Sequence, residues 1–158
     1  CKILDTRKTT PNFRYAEKFA VMIGGGTNHR MGLFDAILIK DNHIDYCGGM
    51  NNTLKKTEKY LNKLDKKLDV VVECRNQKEI DLAINFDFVN RILLDNYNPK
   101  ELVKALSLIR GRKKTEASGR IKKKNIVEYA ETGVDFVSIG ELTNNIKSID
   151  MSLKAIAI

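Results

Sequence analysis

Cysteine, proline and tryptophan are scarce in this chain, which has 158 residues, three cysteines, two prolines and no tryptophan. Cys1, Cys47 and Cys74 are odd in number and far apart, so a small disulfide-rich fold is excluded. Reduced thiols without a chemical role are the simplest interpretation, and a catalytic thiol at Cys74 is the alternative. Free thiols are typical of a reducing compartment, and we therefore expect a cytoplasmic protein.

Long hydrophobic segments are also absent, since no apolar run exceeds five residues. A bilayer-spanning helix needs about 20 apolar residues, and the chain does not open on the pattern of a signal peptide. We therefore expect no membrane partner. With 42% hydrophobic and 30% charged residues, the composition excludes a disordered or collagen-like chain and predicts one domain with a sizeable core.

Basic residues outnumber acidic ones, 28 against 20, which gives a formal net charge of +8. Most of the excess lies between Arg110 and Lys124, where eight cations accompany a single anion, Glu116. A solvated surface, attraction of a phosphorylated small molecule and nucleic-acid binding are all compatible with such a run. The run has no aromatic residue for base stacking and a strand-like segment divides it, so we expect no nucleic-acid partner.

Strand-like and helix-like segments alternate along the chain. The strand-like segments are residues 2–5, 36–39, 70–72, 91–94, 115–117 and 135–139. Most of them are rich in Val, Ile and Leu with little polar alternation, which is typical of strands buried on both faces of a parallel sheet. Helical patterns begin near Pro11, Thr53, Ile80, Pro99 and Ile126. The pattern predicts an α/β fold, and both an open doubly wound sheet and a barrel are compatible with it.

Polar residues follow each strand-like segment. In chain order they include Arg7 and Lys8, Lys40, Glu73, Asp95, Ser118 and Gly119, and Gly140. The carboxyl ends of parallel strands converge on one face, so these groups are expected to form a single site for a charged ligand. The cations suit carboxylate or phosphate, the two carboxylates suit sugar hydroxyls or Mg²⁺, and the glycine turns offer backbone N–H groups to phosphate.

Three further features lie between the predicted strands. His29 stands beside Arg30 and is interpreted as a ligand contact, whereas His43 is expected to support a loop by hydrogen bonding. The two histidines lack the spacing of a zinc site. The glycine run at 24–26 follows a predicted helix and lacks the GxGxxG form, so it is interpreted as a helix stop.

Two segments, TRKTTP at 6–11 and IKDNH at 39–43, carry a resemblance to a known family. Further matches follow in order at 24–26, 28–30, 72–73, 94–96, 116–119 and 138–140. Over the whole chain this set resembles quinolinate phosphoribosyltransferase, also called nicotinate-nucleotide pyrophosphorylase (carboxylating). A molybdenum-transport-associated relative has a similar set, so a related phosphoribosyltransferase acting on another anion is the alternative.

The resemblance implies an incomplete TIM-like α/β barrel of phosphoribosyltransferase type. It implies Mg²⁺-dependent transfer of ribose 5-phosphate from phosphoribosyl pyrophosphate to quinolinate, yielding nicotinate mononucleotide, pyrophosphate and CO₂ in NAD biosynthesis. The catalytic residues it implies are Lys40, Glu73 and Asp95, of which Glu73 and Asp95 also hold the metal. The binding residues it implies are Arg7, Lys8, His29, Arg30 and Lys40 around the acid, with Lys8 shared with phosphate, and Ser118, Gly119 and Gly140 around phosphate.

The resemblance also implies that residues 1–158 are the catalytic barrel portion, truncated at its N-terminus. In the family an N-terminal domain precedes this portion, the segment 152–158 forms a strand that packs with it, and the full-length protein is a homodimer or larger homo-oligomer. An inactive fragment is the alternative for the isolated chain. The family commonly has a second glycine after Gly119, where this chain has Arg120.

Overall fold

The computed structural model describes residues 1–147 and 149–156, and in them six strands alternate with seven helices. The strands are β1 (Lys2–Leu4), β2 (Ala36–Ile39), β3 (Asp69–Glu73), β4 (Arg91–Asp95), β5 (Lys114–Ser118) and β6 (Phe136–Ser138). The helices are α1 (Arg14–Ile23), α2 (Asp41–Tyr46), α3 (Met50–Leu61), α4 (Gln77–Ala83), α5 (Pro99–Ile109), α6 (Ile126–Ala130) and α7 (Glu141–Asn144).

The six strands form one parallel sheet in the order β1-β6-β5-β4-β3-β2. Each strand from β2 to β5 lies beside its successor in the chain, and β6 also pairs with β1. This ring-like order has one break, between β1 and β2, and it never reverses as a doubly wound sheet does. The sheet is therefore an incomplete α/β barrel, which confirms the predicted fold and decides between the two architectures that the pattern left open.

The core lies between the sheet and the helices that follow its strands. Val70, Val71 and Val72 in β3 are each no more than 1% exposed, as expected of a strand covered on both faces. The helices contribute fully buried leucines, with Leu54 from α3 and Leu102 from α5. Hydrophobic burial on both sides fixes the strands, and the strand ends can then carry polar groups without loss of the fold.

Short, well-capped connections hold the strand ends at the edge of the barrel. The Asn98 side chain accepts the N–H of Glu101 at 3.0 Å, and the Glu101 carboxylate accepts the N–H of Asn98 at 2.9 Å. Pro99 occupies the first turn of the helix, where its missing N–H is not needed. Helix α5 therefore begins only a few residues after Asp95, which fixes the position of that carboxylate.

The predicted helices and strands are confirmed, with differences at their ends. Helix α1 begins at Arg14 rather than near Pro11 because Asn12, at φ 62°, is in a turn. Gly24 ends α1 and donates its N–H to Ala20 O at 2.9 Å, so the helix-stop interpretation is correct. Sequence patterns missed α2 and α7, which are six and four residues long and too short to show a 3.6-residue period.

The strand predicted at 152–158 is not formed over residues 152–156, and residues 157 and 158 lie outside the described part of the chain. A strand needs a neighbouring backbone for its hydrogen bonds, and the prediction assigned that role to another domain. Among the described residues no helix is both long enough and apolar enough to cross a membrane.

The basic run from Arg110 to Lys124 does not form one patch. Strand β5 divides it, and five residues of strand separate its two halves by about 16 Å. At the first half, Lys113 donates to Phe86 O at 2.8 Å and Lys114 pairs with Asp135 at 3.0 Å. These contacts give the first half a structural role, away from the carboxyl ends of the strands.

Asp135 stabilises the amino-terminal end of the sheet, and Asp135→Ala is expected to lower the free energy of unfolding by about 1–3 kcal/mol. Its carboxylate accepts the N–H of Thr115 at 2.9 Å and the hydroxyl of Thr115 at 2.8 Å. Burial alone would raise the pKa of Asp135, but hydrogen bonds from Lys114 and Thr115 hold it below the ordinary value. The carboxylate therefore stabilises the fold above the unfolded-state pKa, and this contribution disappears as the pH falls through the lower folded-state pKa.

Urea unfolding of the wild-type protein and of Asp135→Ala, at neutral pH and below about pH 3, measures the contribution of Asp135 to the free energy of unfolding at each pH. Asp87→Ala is the matched control, because Asp87 is exposed at the same end of the barrel. We expect the control to change the free energy of unfolding by less than about 0.5 kcal/mol. Equal effects of the two substitutions at neutral pH would contradict the assigned role of Asp135.

Candidate active site

One cavity of about 510 Å³ lies at the carboxyl ends of the strands. All ten residues singled out from the sequence line it: Arg7, Lys8, His29, Arg30, Lys40, Glu73, Asp95, Ser118, Gly119 and Gly140. They come from every strand end and from the segment between α1 and β2. The geometric expectation of a single convergent site is therefore met.

Eight further lining residues were not assigned to the site from the sequence: Thr6, Leu38, Leu93, Asn96, Glu116, Arg120, Ile121 and Ser138. Several of them lie inside strands rather than after them. Glu116 was the detectable one, because a carboxylate in the middle of a buried strand has a high desolvation cost unless it is paired. Leu38 and Leu93 could not be predicted as cavity residues, since an apolar strand residue gives the same sequence pattern whether its side chain faces a helix or a cavity.

Two arginines occupy neighbouring positions in the cavity wall. Burial, followed by repulsion from Arg7, lowers the pKa of Arg30 from its ordinary value. Arg30 donates to Ala36 O at 3.2 Å, and the buried Nε of Arg7 has no hydrogen-bond partner within the described part of the chain. Like charges held together and incompletely bonded create a region that favours an anion with two negative groups.

His29 is fixed between the backbone and a buried carboxylate. Its Nδ1 accepts the N–H of Arg30 at 2.7 Å, and its Nε2 lies 3.4 Å from Glu116 Oε2. Arg91 donates to the same oxygen at 2.9 Å. Burial would raise the pKa of Glu116, but the hydrogen bond from His29 and the charge of Arg91 hold it below its ordinary value. These contacts fix the orientation of the ring on the cavity wall.

Two carboxylates on adjacent strands face the same cavity. Glu73 Oε2 lies 3.6 Å from Lys40 Nζ, and burial raises the pKa of Glu73 against the opposing charge of Lys40, with Asp95 adding a smaller increase. Asp95 accepts hydrogen bonds from the Ser118 hydroxyl and, at 2.5 Å, from the Asn96 amide. The site therefore contains one carboxylate paired with a lysine and a second held by neutral donors.

Lys40 is held at the start of a short helix. The N–H of Lys40 donates to His43 Nδ1 at 3.0 Å, which confirms that His43 acts through a hydrogen bond. His43 belongs to α2 rather than to a loop, however, because its ring completes the first turn of that helix. This contact fixes the backbone from which the Lys40 side chain reaches Glu73.

Within the described residues, no three His, Cys, Asp or Glu side chains are grouped as ligands of a metal ion. Mg²⁺ commonly takes only one or two protein carboxylates together with substrate phosphates and water. Glu73 and Asp95 provide two carboxylates on one cavity wall. The residues present therefore fit a Mg²⁺ ion that is completed by a phosphorylated ligand.

Glycine is required where the turn after β5 passes close to the turn after β4. Gly119 has φ 90°, and a Cβ on it would lie 2.7 Å from the backbone nitrogen of Asn96. Across the cavity, the Lys8 side chain runs within 3.5 Å of the Cβ position of Gly140. The buried Thr143 hydroxyl donates to Lys8 O at 2.7 Å and holds this lysine segment against α7.

Arg120 has a backbone conformation that favours glycine, with φ 57°, and its side chain lines the cavity. We expect Arg120→Gly to raise the free energy of unfolding by up to about 1 kcal/mol, because left-handed strain is removed. The same substitution removes a cation from the rim and is expected to raise the KM for a phosphorylated substrate about tenfold. Thermal unfolding and steady-state kinetics measure the two effects.

Arg110→Gly is the matched control for Arg120→Gly. Arg110 also has a left-handed conformation, with φ 52°, but it ends α5 and does not line the cavity. We expect a similar gain in stability and an unchanged KM. A KM that stays constant in both variants would remove Arg120 from the binding site.

Cys74 does not have the surroundings of a nucleophile. It is 1% exposed, and burial, with smaller contributions from Glu79 and Glu73, raises the pKa of its thiol far above the ordinary value. A reactive cysteine needs the opposite, an accessible thiol with a lowered pKa. The three cysteines are all free, and the interpretation as reduced, idle thiols is favoured.

Comparison with known proteins assigns the family. Residues 1–154 match the sequence profile described as "Quinolinate phosphoribosyl transferase, C-terminal domain". The chain belongs to this family. It is 43% identical to nicotinate-nucleotide pyrophosphorylase [carboxylating], chloroplastic, from Arabidopsis thaliana, over 96% of this chain and 48% of the relative.

Two further relatives agree with this family assignment. The chain is 41% identical to the probable nicotinate-nucleotide pyrophosphorylase [carboxylating] of Bacillus subtilis (strain 168), over 96% of this chain and 51% of that protein. The solved nicotinate-nucleotide pyrophosphorylase from Francisella tularensis superposes with a TM-score of 0.87 at 46% identity, over 96% of this chain and 52% of that chain. The chain thus spans about half the length of the relatives it matches.

Proposed function

We propose that the protein carrying this chain transfers ribose 5-phosphate from phosphoribosyl pyrophosphate to quinolinate, with loss of CO₂, in NAD biosynthesis. The observation that carries the proposal is that one cavity is lined by two neighbouring arginines, Arg7 and Arg30, and by two neighbouring carboxylates, Glu73 and Asp95. We call the first pair the cationic wall and the second pair the carboxylate wall. A dicarboxylate and a phosphorylated sugar need these two environments side by side. Family membership over residues 1–154 supports the same reaction.

The cationic wall receives quinolinate in this proposal. Arg7 and Arg30 bind its two carboxylates, and His29 and Lys40 complete the surroundings. Guanidinium groups suit this role because they meet a carboxylate with two parallel N–H groups. Fixed cations orient the ring nitrogen toward the sugar, and orientation of two reactants contributes up to about 7–11 kcal/mol to lowering a barrier.

The carboxylate wall receives the sugar. Glu73 and Asp95 accept its hydroxyls and stabilise the positive charge that develops on the ribose as pyrophosphate leaves. Both are also the residues that would hold Mg²⁺, which supplies charge neutralisation at the leaving phosphates when bound. The backbone at Ser118, Gly119 and Gly140 and the Lys8 side chain bind phosphate. After the ring nitrogen attacks, the carboxylate next to it leaves as CO₂ and the electron pair of the broken C–C bond stays on that ring carbon, where the adjacent positive nitrogen stabilises it. The carbon then takes up a proton from water.

We further propose that the full-length protein is a homodimer or larger homo-oligomer of a reducing, cytoplasmic compartment. Four large apolar side chains of the α1 region are more than half exposed, namely Phe13, Phe19, Met22 and Ile23. Apolar surface of this kind favours burial against further protein. Three unpaired cysteines are consistent with a reducing compartment.

Production of nicotinate mononucleotide from quinolinate and phosphoribosyl pyrophosphate by the full-length protein tests the reaction. The same assay with phthalate, which lacks the ring nitrogen, should give no nucleotide. Titration calorimetry separates the alternative: if phosphoribosyl pyrophosphate binds and millimolar quinolinate gives no heat, the protein acts on another anion. The absence of both heats would reject the proposed site altogether.

A further inference from the structure

A buried ion pair outside the cavity lining holds both polar backbone groups of His29. Asp5 directly follows β1 and Lys18 lies in α1, and the two fully buried side chains form a direct ion pair. Asp5 Oδ1 accepts the His29 N–H at 2.8 Å, and Lys18 Nζ donates to His29 O at 3.1 Å. We call this arrangement the Asp5–Lys18 clamp.

The clamp acts on a segment that no helix or strand supports. His29 and Arg30 lie in irregular backbone between the bridge at Thr27 and the start of β2. With its amide nitrogen turned toward them, Asn28 donates to Lys18 O at 3.0 Å and to Asp5 Oδ2 at 3.1 Å. The backbone position of this segment therefore depends on side chains rather than on a sheet or helix.

Stability alone does not require charges at these two positions. Desolvating a buried ion pair costs several kcal/mol per ion, and an apolar pair of similar volume is often as stable. The pair is instead bonded to a residue on the cavity wall. Its retained charges are thus accounted for by the position that they impose on His29.

The clamp joins the two segments that carry the cavity arginines. Asp5 precedes Arg7 by two residues at the end of β1, and His29 directly precedes Arg30. The repulsion that lowers the pKa of Arg30 comes from Arg7, so the two guanidinium groups favour moving apart. Fixing both backbones to one ion pair opposes that movement.

We infer that Asp5 and Lys18 are positioning residues that hold Arg7 and Arg30 in the spacing that receives a dicarboxylate. The inference rests on the proposed function and deepens its acid-binding half. A preformed cation pair binds its ligand without further ordering of the irregular segment, and this lowers the dissociation constant. The clamp touches neither the phosphate turns nor Glu73 and Asp95, and the Thr143 hydroxyl holds the Lys8 backbone separately, so we expect its effect to fall on the acid.

The double substitution Asp5→Asn/Lys18→Met tests the clamp in the full-length protein. It removes both charges together, so that no buried ion is left unpaired. We expect the dissociation constant for quinolinate, measured by calorimetry, to rise about tenfold. Affinity for phosphoribosyl pyrophosphate with Mg²⁺ is expected to stay unchanged, and kcat at saturating acid to fall less than about threefold.

Asp135→Asn is the control, since it weakens a polar network at the opposite end of the sheet and should leave both affinities unchanged. If the double variant does not fold, Asn28→Ala weakens the same clamp more gently, with an expected rise of about threefold. An unchanged quinolinate affinity in a folded clamp variant would overturn the inference.

A separate readout distinguishes failure of the clamp from failure of the proposed function. Without ligand, the backbone amide of His29 should exchange its hydrogen at least about tenfold faster in a clamp variant than in the wild-type protein. If quinolinate gives no heat with the wild-type protein, the proposed function fails. The exchange rate of the His29 amide then shows by itself whether the clamp holds this segment. Equal exchange in both proteins would reject it.

Discussion

Glu73→Gln is expected to lower kcat for nicotinate mononucleotide formation by about 10²–10³-fold. Glutamine keeps the shape of the side chain and removes its negative charge. The proposed reaction develops positive charge on the ribose, and Glu73 faces the cavity where that sugar would bind. Substrate binding should change less than kcat, because the lost interaction is strongest in the transition state.

The pH dependence gives Glu73 a second, independent signature. In the proposed reaction its ionised form is the active one, and burial raises its pKa above the ordinary value despite the nearby charge of Lys40. Activity is therefore expected to be lost on the acid side at a higher pH than an ordinary glutamate would give. This acid limb should disappear in Glu73→Gln, since the substituted amide does not titrate.

Glu79→Gln is the matched control for Glu73→Gln. Glu79 is also a buried glutamate, 8% exposed, but it bonds Arg75 at 2.8 Å and does not line the cavity. We expect the control to lose stability while its kcat stays within about threefold of the wild-type value and its acid limb stays in place. Similar losses of kcat in both variants would mean that Glu73 has only a structural role.

The order of strands could be predicted only in part from the sequence. Runs such as Val70–Val72 predicted buried parallel strands correctly, because burial on both faces removes polar alternation. Neighbouring strands in space are set by the packing of helices over the whole chain, and no local pattern records that β6 pairs with β1. The barrel therefore followed from the family resemblance rather than from periodicity.

The lining of the cavity could be predicted where polar residues stand at strand ends, as with Glu73 and Asp95. Residues were missed where their role depends on a partner far away in the chain. From the sequence alone, Lys18 cannot be distinguished from the other lysines of the chain. Only the fold brings it to Asp5 in a fully buried pair. Glu116 was detectable as a carboxylate within a buried strand, but its partner Arg91, which lies 25 residues away, was not.

Arg7→Ala is expected to raise the KM for quinolinate about 10²-fold, which is the effect of losing one charged, two-pronged contact worth about 3 kcal/mol. Arg75→Ala is the matched control. Arg75 also follows a strand end, but it pairs with Asp45 at 3.0 Å and with Glu79, and it lies outside the cavity lining. We expect its KM to be unchanged and its stability to fall by no more than about 1 kcal/mol.

Arg7→Ala is expected to keep or raise the stability of the protein even though it weakens the binding of quinolinate. The Arg7 Nε is buried without a hydrogen-bond partner in the described part of the chain, and its charge repels Arg30. Removing an incompletely paired cation relieves both costs, so the melting temperature of Arg7→Ala is expected to equal or exceed that of the wild-type protein. A variant that binds quinolinate poorly yet unfolds at a higher temperature would identify Arg7 as a residue retained for its ligand. A lower melting temperature with an unchanged KM would instead assign Arg7 to the fold.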